Sequence, residues 1–278
     1  MTIKQFVKLA IEEDIKEGDH SALACIPKQA IGKAQLLVKE DGIIAGIKIA
    51  IQIFKEFDTS FEIESILKDG NLVKVGDVVF TVSGPSITLL SAERLVLNVM
   101  QRMSAIATLT NKYVKELEGL STKVLDTRKT TPLIRFLEKE AVRIGGGVNH
   151  RFGLYDMIML KDNHNDFAGG IEKSINKTVQ YLKDNNLNLK IEVETRNLEE
   201  VQEVLKVGQI DRIMLDNFSY DNMRKAVQLI DGKYETEASG GINLKTVRKY
   251  AECGVDFVSV GALTHSVSNM DLSLKAIK

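Results

Sequence analysis

The stretch from Asp126 to His164 reads DTRKTTPLIRFLEKEAVRIGGGVNHRFGLYDMIMLKDNH and concentrates cations at Arg128, Lys129, His150, Arg151 and Lys161. Each sits beside an expected strand end or loop, where side chains converge on ligands. Arg128 and Arg151 carry planar forks suited to carboxylate or phosphate, whereas Lys129 and Lys161 act as point charges. The whole chain is close to neutral, with 37 Lys and Arg against 38 Asp and Glu. A dense positive site in a neutral chain points to a small, highly anionic substrate and away from nucleic acid. His150 follows three glycines and precedes Arg151, a setting that favours contact with an anion or a ring over a purely structural histidine.

Two acids end successive apolar runs: Glu194 closes IEVE and Asp216 closes IMLD. Such a pair can face a Mg²⁺ held mainly by substrate oxygens, or it can pair with Lys161 and Arg128. Glu192 shares the parity of Glu194 and stands as an alternative to it. The loops EASGGIN and VGALTHS bring Ser239, Gly240, Gly241 and Gly261, with His265 following. Backbone N–H groups in such turns cradle phosphate. Asp162-Asn163-His164 is a possible metal cluster, although Asp-Asn directly after a strand more often caps a helix. Arg135, Lys139 and Arg143 recur at helical spacing and read as a solvated face partnered by Glu138 and Glu140. Ser91 is a candidate N-cap for a long helix, which places Arg94 in its first turn, where a cation opposes the dipole. Asn98, Gln101 and Arg102 extend that polar stripe, which faces either solvent or another subunit's site.

These residues need a scaffold. The chain has 278 residues, 44% hydrophobic and 27% charged, enough for a sizeable core. The N-terminus lacks a cleavable apolar segment, and no apolar run approaches the ~20 residues that span a bilayer. Cys25 and Cys253 are isolated and read as buried structural thiols in a reducing cytoplasm. Residues 3–16 have helical spacing, and Ile43 to Phe57 is an apolar helix-like run. FEIESILKDGNLVKVGDVVFTVSGP alternates and is broken by Asp69-Gly70, Gly76-Asp77 and Gly84-Pro85, the signals of hairpins and turns. From Ser91 onward six apolar runs alternate with helical segments: KVLDTR, MIMLKDN, LKIEVET, RIMLDN, YETEASGG and FVSVGAL. Strands buried on both faces and alternating with helices predict parallel βαβ units. The fold expected is α/β: an α+β domain over 1–104 and an incomplete α/β barrel over 105–266, with the tail 267–278 returning to the first sheet.

The stretches AERLVLN, Asp126 through His164, IEVET, IMLDN, EASGGI and GVDFVSVGALTHS, in this order, resemble the quinolinate phosphoribosyltransferase family. The resemblance implies an N-terminal α/β sandwich, a seven-stranded incomplete barrel and a homodimer in which Arg94 reaches the neighbouring subunit's quinolinate. It implies that Thr127, Arg128, Lys129, His150, Arg151 and Lys161 line the quinolinate pocket and adjoining phosphate positions. Glu194 and Asp216 would hold the ribose hydroxyls and Mg²⁺ of phosphoribosyl pyrophosphate, and Lys129 and Lys161 join them as catalytic residues. Ser239, Gly240, Gly241, Gly261 and Ala262 would bind the 5′-phosphate, with His265 nearby. The implied reaction yields nicotinate mononucleotide, pyrophosphate and CO₂ in the cytoplasm, for NAD biosynthesis. Leu95 departs from the family, which often has Thr there. A paralogue with the same fold and another base is the nearest rival reading; a non-enzymatic binder is a more distant one.

Overall fold

The computed structural model describes residues 1–277. In chain order its elements are α1 (Ile3–Asp14), α2 (His20–Cys25), β1 (Ile31–Val38), β2 (Gly42–Ile43), α3 (Ile47–Phe57), β3 (Glu62–Ser65), β4 (Leu72–Val73), β5 (Val78–Pro85) and α4 (Ser86–Glu116). There follow β6 (Lys123–Leu125), α5 (Arg135–Ile144), β7 (Ile158–Leu160), α6 (Asp162–Ala168), α7 (Ile171–Asp184), β8 (Ile191–Thr195), α8 (Leu198–Val207) and β9 (Arg212–Asp216). The chain ends with α9 (Tyr220–Ile230), β10 (Glu235–Ser239), α10 (Val247–Ala251), β11 (Phe257–Ser259), α11 (Ala262–His265) and β12 (Leu272–Ile277).

Packing divides the chain into two compact units. The first is Met1–Asn111, Thr130–Gly146 and Leu263–Lys278; the second is Lys112–Lys129 and Gly147–Ala262. The division read from sequence falls after residue 104; by packing, residues 105–111, 130–146 and 263–266 group with the first unit. A physical tie holds the middle one of these segments there. Arg102 on α4 donates to Glu138 of α5 at 2.8 Å, and the Glu138 side chain is fully buried. Arg102 also reaches the Thr264 carbonyl, while Glu138 accepts from the N–H and hydroxyl of Thr131. The expected solvated stripe is therefore corrected: Lys139 is buried with Glu138, and only Arg143 of the three cations is exposed. Helical spacing alone could not show this, because the partner of Glu138 comes from a helix 36 residues away.

In the first unit the sheet order is β12-β1-β5-β3, with antiparallel pairing throughout. The returning tail pairs Leu272 with Val38 and Leu274 with Leu36. Helix α3 buries Ile47, Ile49, Ala50, Ile53 and Phe54, and the Phe54 ring meets Phe61 and Phe80. Asp69 accepts the Ile47 N–H at 2.8 Å and so starts that helix. The long helix begins at Ser86, not Ser91; the Ser91 hydroxyl instead donates back to the Ile87 carbonyl. Arg94 consequently lies in the third turn, and the dipole argument does not apply to it.

In the second unit six parallel strands take the order β6-β11-β10-β9-β8-β7. The first strand in the chain thus lies beside the last, as in a barrel. A seventh strand is reduced to one residue: Val148 bridges Leu125 in parallel on the free side of β6. Among the described residues no pairing joins Val148 to β7. Cys253 is buried as expected, but Cys25 is exposed. No helix among the described residues is long and apolar enough to cross a membrane.

Arg102→Ala should leave the Glu138 carboxylate buried without its cation and cost about 3–5 kcal/mol in urea unfolding. Arg102→Met with Glu138→Leu should recover most of that loss.

Candidate active site

Six parallel strands direct their carboxyl ends the same way, so the residues following them gather at one end of the sheet. After β6 come Thr127, Arg128 and Lys129, and the Lys129 N–H donates to Thr127 Oγ1 at 3.0 Å. Arg128 is exposed. Arg151 is half-buried and donates to the Met157 carbonyl at 3.1 Å. Burial first, and the charge of Arg128 second, push its pKa below the usual guanidinium value. The charges of Glu192 and Asp156 act on Arg151 in the opposite direction.

Lys161 follows β7, and its Nζ stands 3.8 Å from Glu194 Oε2 on β8. Burial pushes the Glu194 carboxyl up; Lys161 opposes this and the charge of Asp216 adds to it. Asp216 ends β9, in register with Ser239 at the end of β10. Glu194 and Asp216 are thus two hard oxygen donors at the ends of adjacent strands, and the charge of Asp216 on Glu194 is one that a divalent cation would relieve. The donor set fits Mg²⁺. The Asp162–His164 cluster does not join it: His164 Nδ1 accepts the Lys161 N–H, and Asp162 Oδ1 accepts the Asn163 N–H, which makes this the start of α6.

The turns after β9 and β10 interlock. Asn217 has φ 57° and donates its N–H to the Ser239 carbonyl at 2.9 Å, while its side-chain amide donates to Asp216. Gly240 has φ +100°, and a Cβ there would overlap the Asn217 side chain; Gly241 has φ +61° with open space beside it. Gly261 and Ala262 follow β11 at the same end. Arg94 and His265 belong to the first unit and are both exposed. His265 Nδ1 lies 2.6 Å from the Ser266 hydroxyl.

His150 is placed differently from its neighbours. Its side chain is 4% exposed, and Nε2 lies 2.9 Å from Glu192 and 3.4 Å from Glu237, both fully buried. Arg212 of β9 stands 3.1 Å from the same Glu237 oxygen and 4.0 Å from Glu192. Burial would push the imidazole pKa down, but the two glutamates raise it. The Arg151 N–H, 2.6 Å from Nδ1, nevertheless occupies that nitrogen's lone pair, so the ring's proton is on Nε2, toward Glu192. Burial, then Glu237, pushes the Glu192 carboxyl up to about 7.

Sequence reasoning left Glu192 as an alternative to Glu194; the structure puts both on one face of β8, one layer apart. It missed Glu237 and Arg212. Their signal was parity: Glu237 is two residues before Ser239, and Arg212 is four before Asp216. Asp126, fully buried, was also passed over, and its Oδ1 accepts the His150 N–H at 2.8 Å.

Fold and geometry together define an α/β protein whose cations and carboxylates gather at the carboxyl ends of a six-stranded parallel sheet. The chain belongs to the quinolinate phosphoribosyl transferase family: the model of its N-terminal domain matches residues 19–104 and that of its C-terminal domain residues 106–275. An Arabidopsis thaliana protein named nicotinate-nucleotide pyrophosphorylase [carboxylating], chloroplastic, is 46% identical over 288 residues, covering 98% of this chain and 82% of its own. Quinolinate phosphoribosyltransferase [decarboxylating] 2b, mitochondrial, from Nicotiana tabacum matches with the same identity and coverage. The crystal structure of NadC from Streptococcus pyogenes superposes with a TM-score of 0.92 at 38% identity, covering 99% of this chain and 97% of that one.

Gly240→Ala should lower stability by about 1–3 kcal/mol in thermal unfolding, since it adds both a strained backbone and an overlap with Asn217. Gly241→Asn should cost less than about 1 kcal/mol, because asparagine tolerates the left-handed region and space is open there.

Proposed function

We propose that this chain transfers the phosphoribosyl group of 5-phosphoribosyl 1-pyrophosphate to quinolinate and releases CO₂, forming nicotinate mononucleotide and pyrophosphate for NAD biosynthesis. The observation that carries the reading is the pair of guanidinium forks Arg128 and Arg151, near enough at the carboxyl ends of the sheet for the charge of one to act on the other. A dicarboxylate matches two planar forks better than a monocarboxylate does. Family membership supplies the rest of the support.

In this reading Arg128 and Arg151 bind the two substrate carboxylates and fix the pyridine ring. Lys129 and Lys161 add positive charge beside the ring and the departing pyrophosphate. Ser239, Gly240, Gly241, Gly261 and Ala262 take the 5′-phosphate through their backbone N–H groups, with Thr127 at its margin. Glu194 and Asp216 hold the ribose hydroxyls. The pyridine nitrogen forms a bond to the anomeric carbon as the bond to pyrophosphate breaks, and the carboxylates stabilise the positive charge that develops there. The resulting pyridinium accepts the electron pair left when the C2 carboxylate departs as CO₂, and a proton then takes its place. Glu194 and Asp216 would also hold Mg²⁺, which when bound supplies charge neutralisation to the pyrophosphate. Arg94 would act on the site of a partner subunit in a homodimer, and the enzyme would work in the cytoplasm.

The test supplies purified protein with quinolinate, phosphoribosyl pyrophosphate and Mg²⁺ and follows nicotinate mononucleotide and CO₂ together. Both products should appear, depend on Mg²⁺, and be absent when nicotinate replaces quinolinate; no product from quinolinate would reject the reading. Arg128→Ala should raise the quinolinate KM at least about 10-fold. Glu194→Gln should lower kcat by about 10²–10³ with a smaller change in the quinolinate KM.

A further inference from the structure

Beneath the anion site lies a second group of charges that the proposed reaction does not use. Glu192, Arg212 and Glu237 stand on the adjacent strands β8, β9 and β10, and Glu192 is the register partner of Arg212. Arg212 also bonds Glu235 at 2.9 Å, and its guanidinium lies 4.2 Å above the Phe257 ring of β11. The group therefore braces four strands. It is a poor device for stability. Ion groups buried this deeply give up their hydration, and well-packed apolar residues of the same size do as well or better. Neither oxygen of Glu192 accepts a hydrogen bond among the described residues, so Glu192 acts on the His150 ring through charge and close approach, 2.9 Å from Nε2.

What the group does hold is one ring. Nε2 of His150 is directed at Glu192 and Glu237, which leaves the Nδ1 lone pair for the Arg151 N–H. The His150 N–H is fixed in turn by Asp126 at the end of β6. The two consecutive backbone N–H groups that lead into the Arg151 side chain are thus tied to buried side chains. That guanidinium must be held while Arg128 repels it.

We propose that Glu192 and Glu237, braced by Arg212, are positioning residues: through the His150 ring they fix the backbone of Arg151 and so aim its guanidinium at the dicarboxylate substrate. The inference rests on the functional reading above. His150 in this account supports the pocket from below: its Nε2 faces two buried carboxylates and its Nδ1 accepts the Arg151 N–H. The phosphoribosyl end, on Ser239 to Gly241 and Gly261, is not held through this ring, so the two substrates should respond differently to a loosened brace.

Glu192→Leu separates positioning from stability. The change removes the carboxylate nearest Nε2 but leaves Arg212 paired with Glu237 and Glu235. The quinolinate KM should rise about 10-fold or more, while the KM for phosphoribosyl pyrophosphate stays within about 2-fold. The thermal midpoint should move by no more than about 4 °C. Glu192→Gln, whose amide oxygen can accept from Nε2, should bring the quinolinate KM back to within about 3-fold of wild type. A second measurement needs no variant to fold: with ¹⁵N-labelled histidine, His150 of the wild type should show a protonated Nε2 and an unprotonated Nδ1. A quinolinate KM unchanged in Glu192→Leu, both KM values rising together with a lowered midpoint, or a proton on Nδ1 would each overturn the inference. Wild-type protein that makes no product from quinolinate would instead overturn the functional reading on which it stands.

Discussion

Placing acids and cations on the inner positions of a parallel sheet is possible only if each buried charge has an opposite charge or polar group beside it. The strands β8, β9 and β10 solve this with an alternation along the hydrogen-bonding direction: Glu192, Arg212 and Glu237 lie side by side, anion, cation, anion. Against this layer the next inward positions toward the carboxyl ends, Glu194, Asp216 and Ser239, are held at the start of the open site. Side chains on a strand repeat every two residues. A charge at position 192 and another at 194 are therefore one problem in two layers, the lower solved internally and the upper left for ligands.

The polar character of the lower layer also explains why the site residues differ in how firmly they are held. Arg151 reaches the site from a backbone tied into buried groups, whereas Arg128 is exposed. One arm is prepositioned and the other is free to adapt. For two cations that repel each other this is a workable division, since fixing both would store the full repulsion in the resting protein.

Much of this was legible in the sequence. Each of the six parallel strands was an apolar run closed by a charged or small residue, and that closing residue marked the carboxyl end. What was not legible depended on partners far away in the chain. Lys139 and Glu138 looked solvated by helical spacing because nothing local reveals that Arg102 lies opposite Glu138. Ser91 looked like an N-cap because Ser86 follows Gly84-Pro85, which reads as a turn; the helix nonetheless begins directly after Pro85. The missing strand had no signal to offer, since a single bridging residue, Val148, after three glycines has no period. Glu237 and Arg212 could have been found by counting back in steps of two from Ser239 and Asp216.

The order in which the first unit's pieces occur along the chain has a consequence for its synthesis. Its sheet is completed by β12, the last strand described, lying against β1, one of the first. Its helical layer waits for Thr130–Gly146 from mid-chain. A ribosome emits the chain from one end, so β1 emerges long before the strand that covers its free edge. Until then that edge presents bare N–H and carbonyl groups to the surrounding medium. The second unit, by contrast, has all of its strands once Ser259 has been made. In the growing polypeptide the later-encoded sheet is complete first, and the part that begins the chain is the last to close.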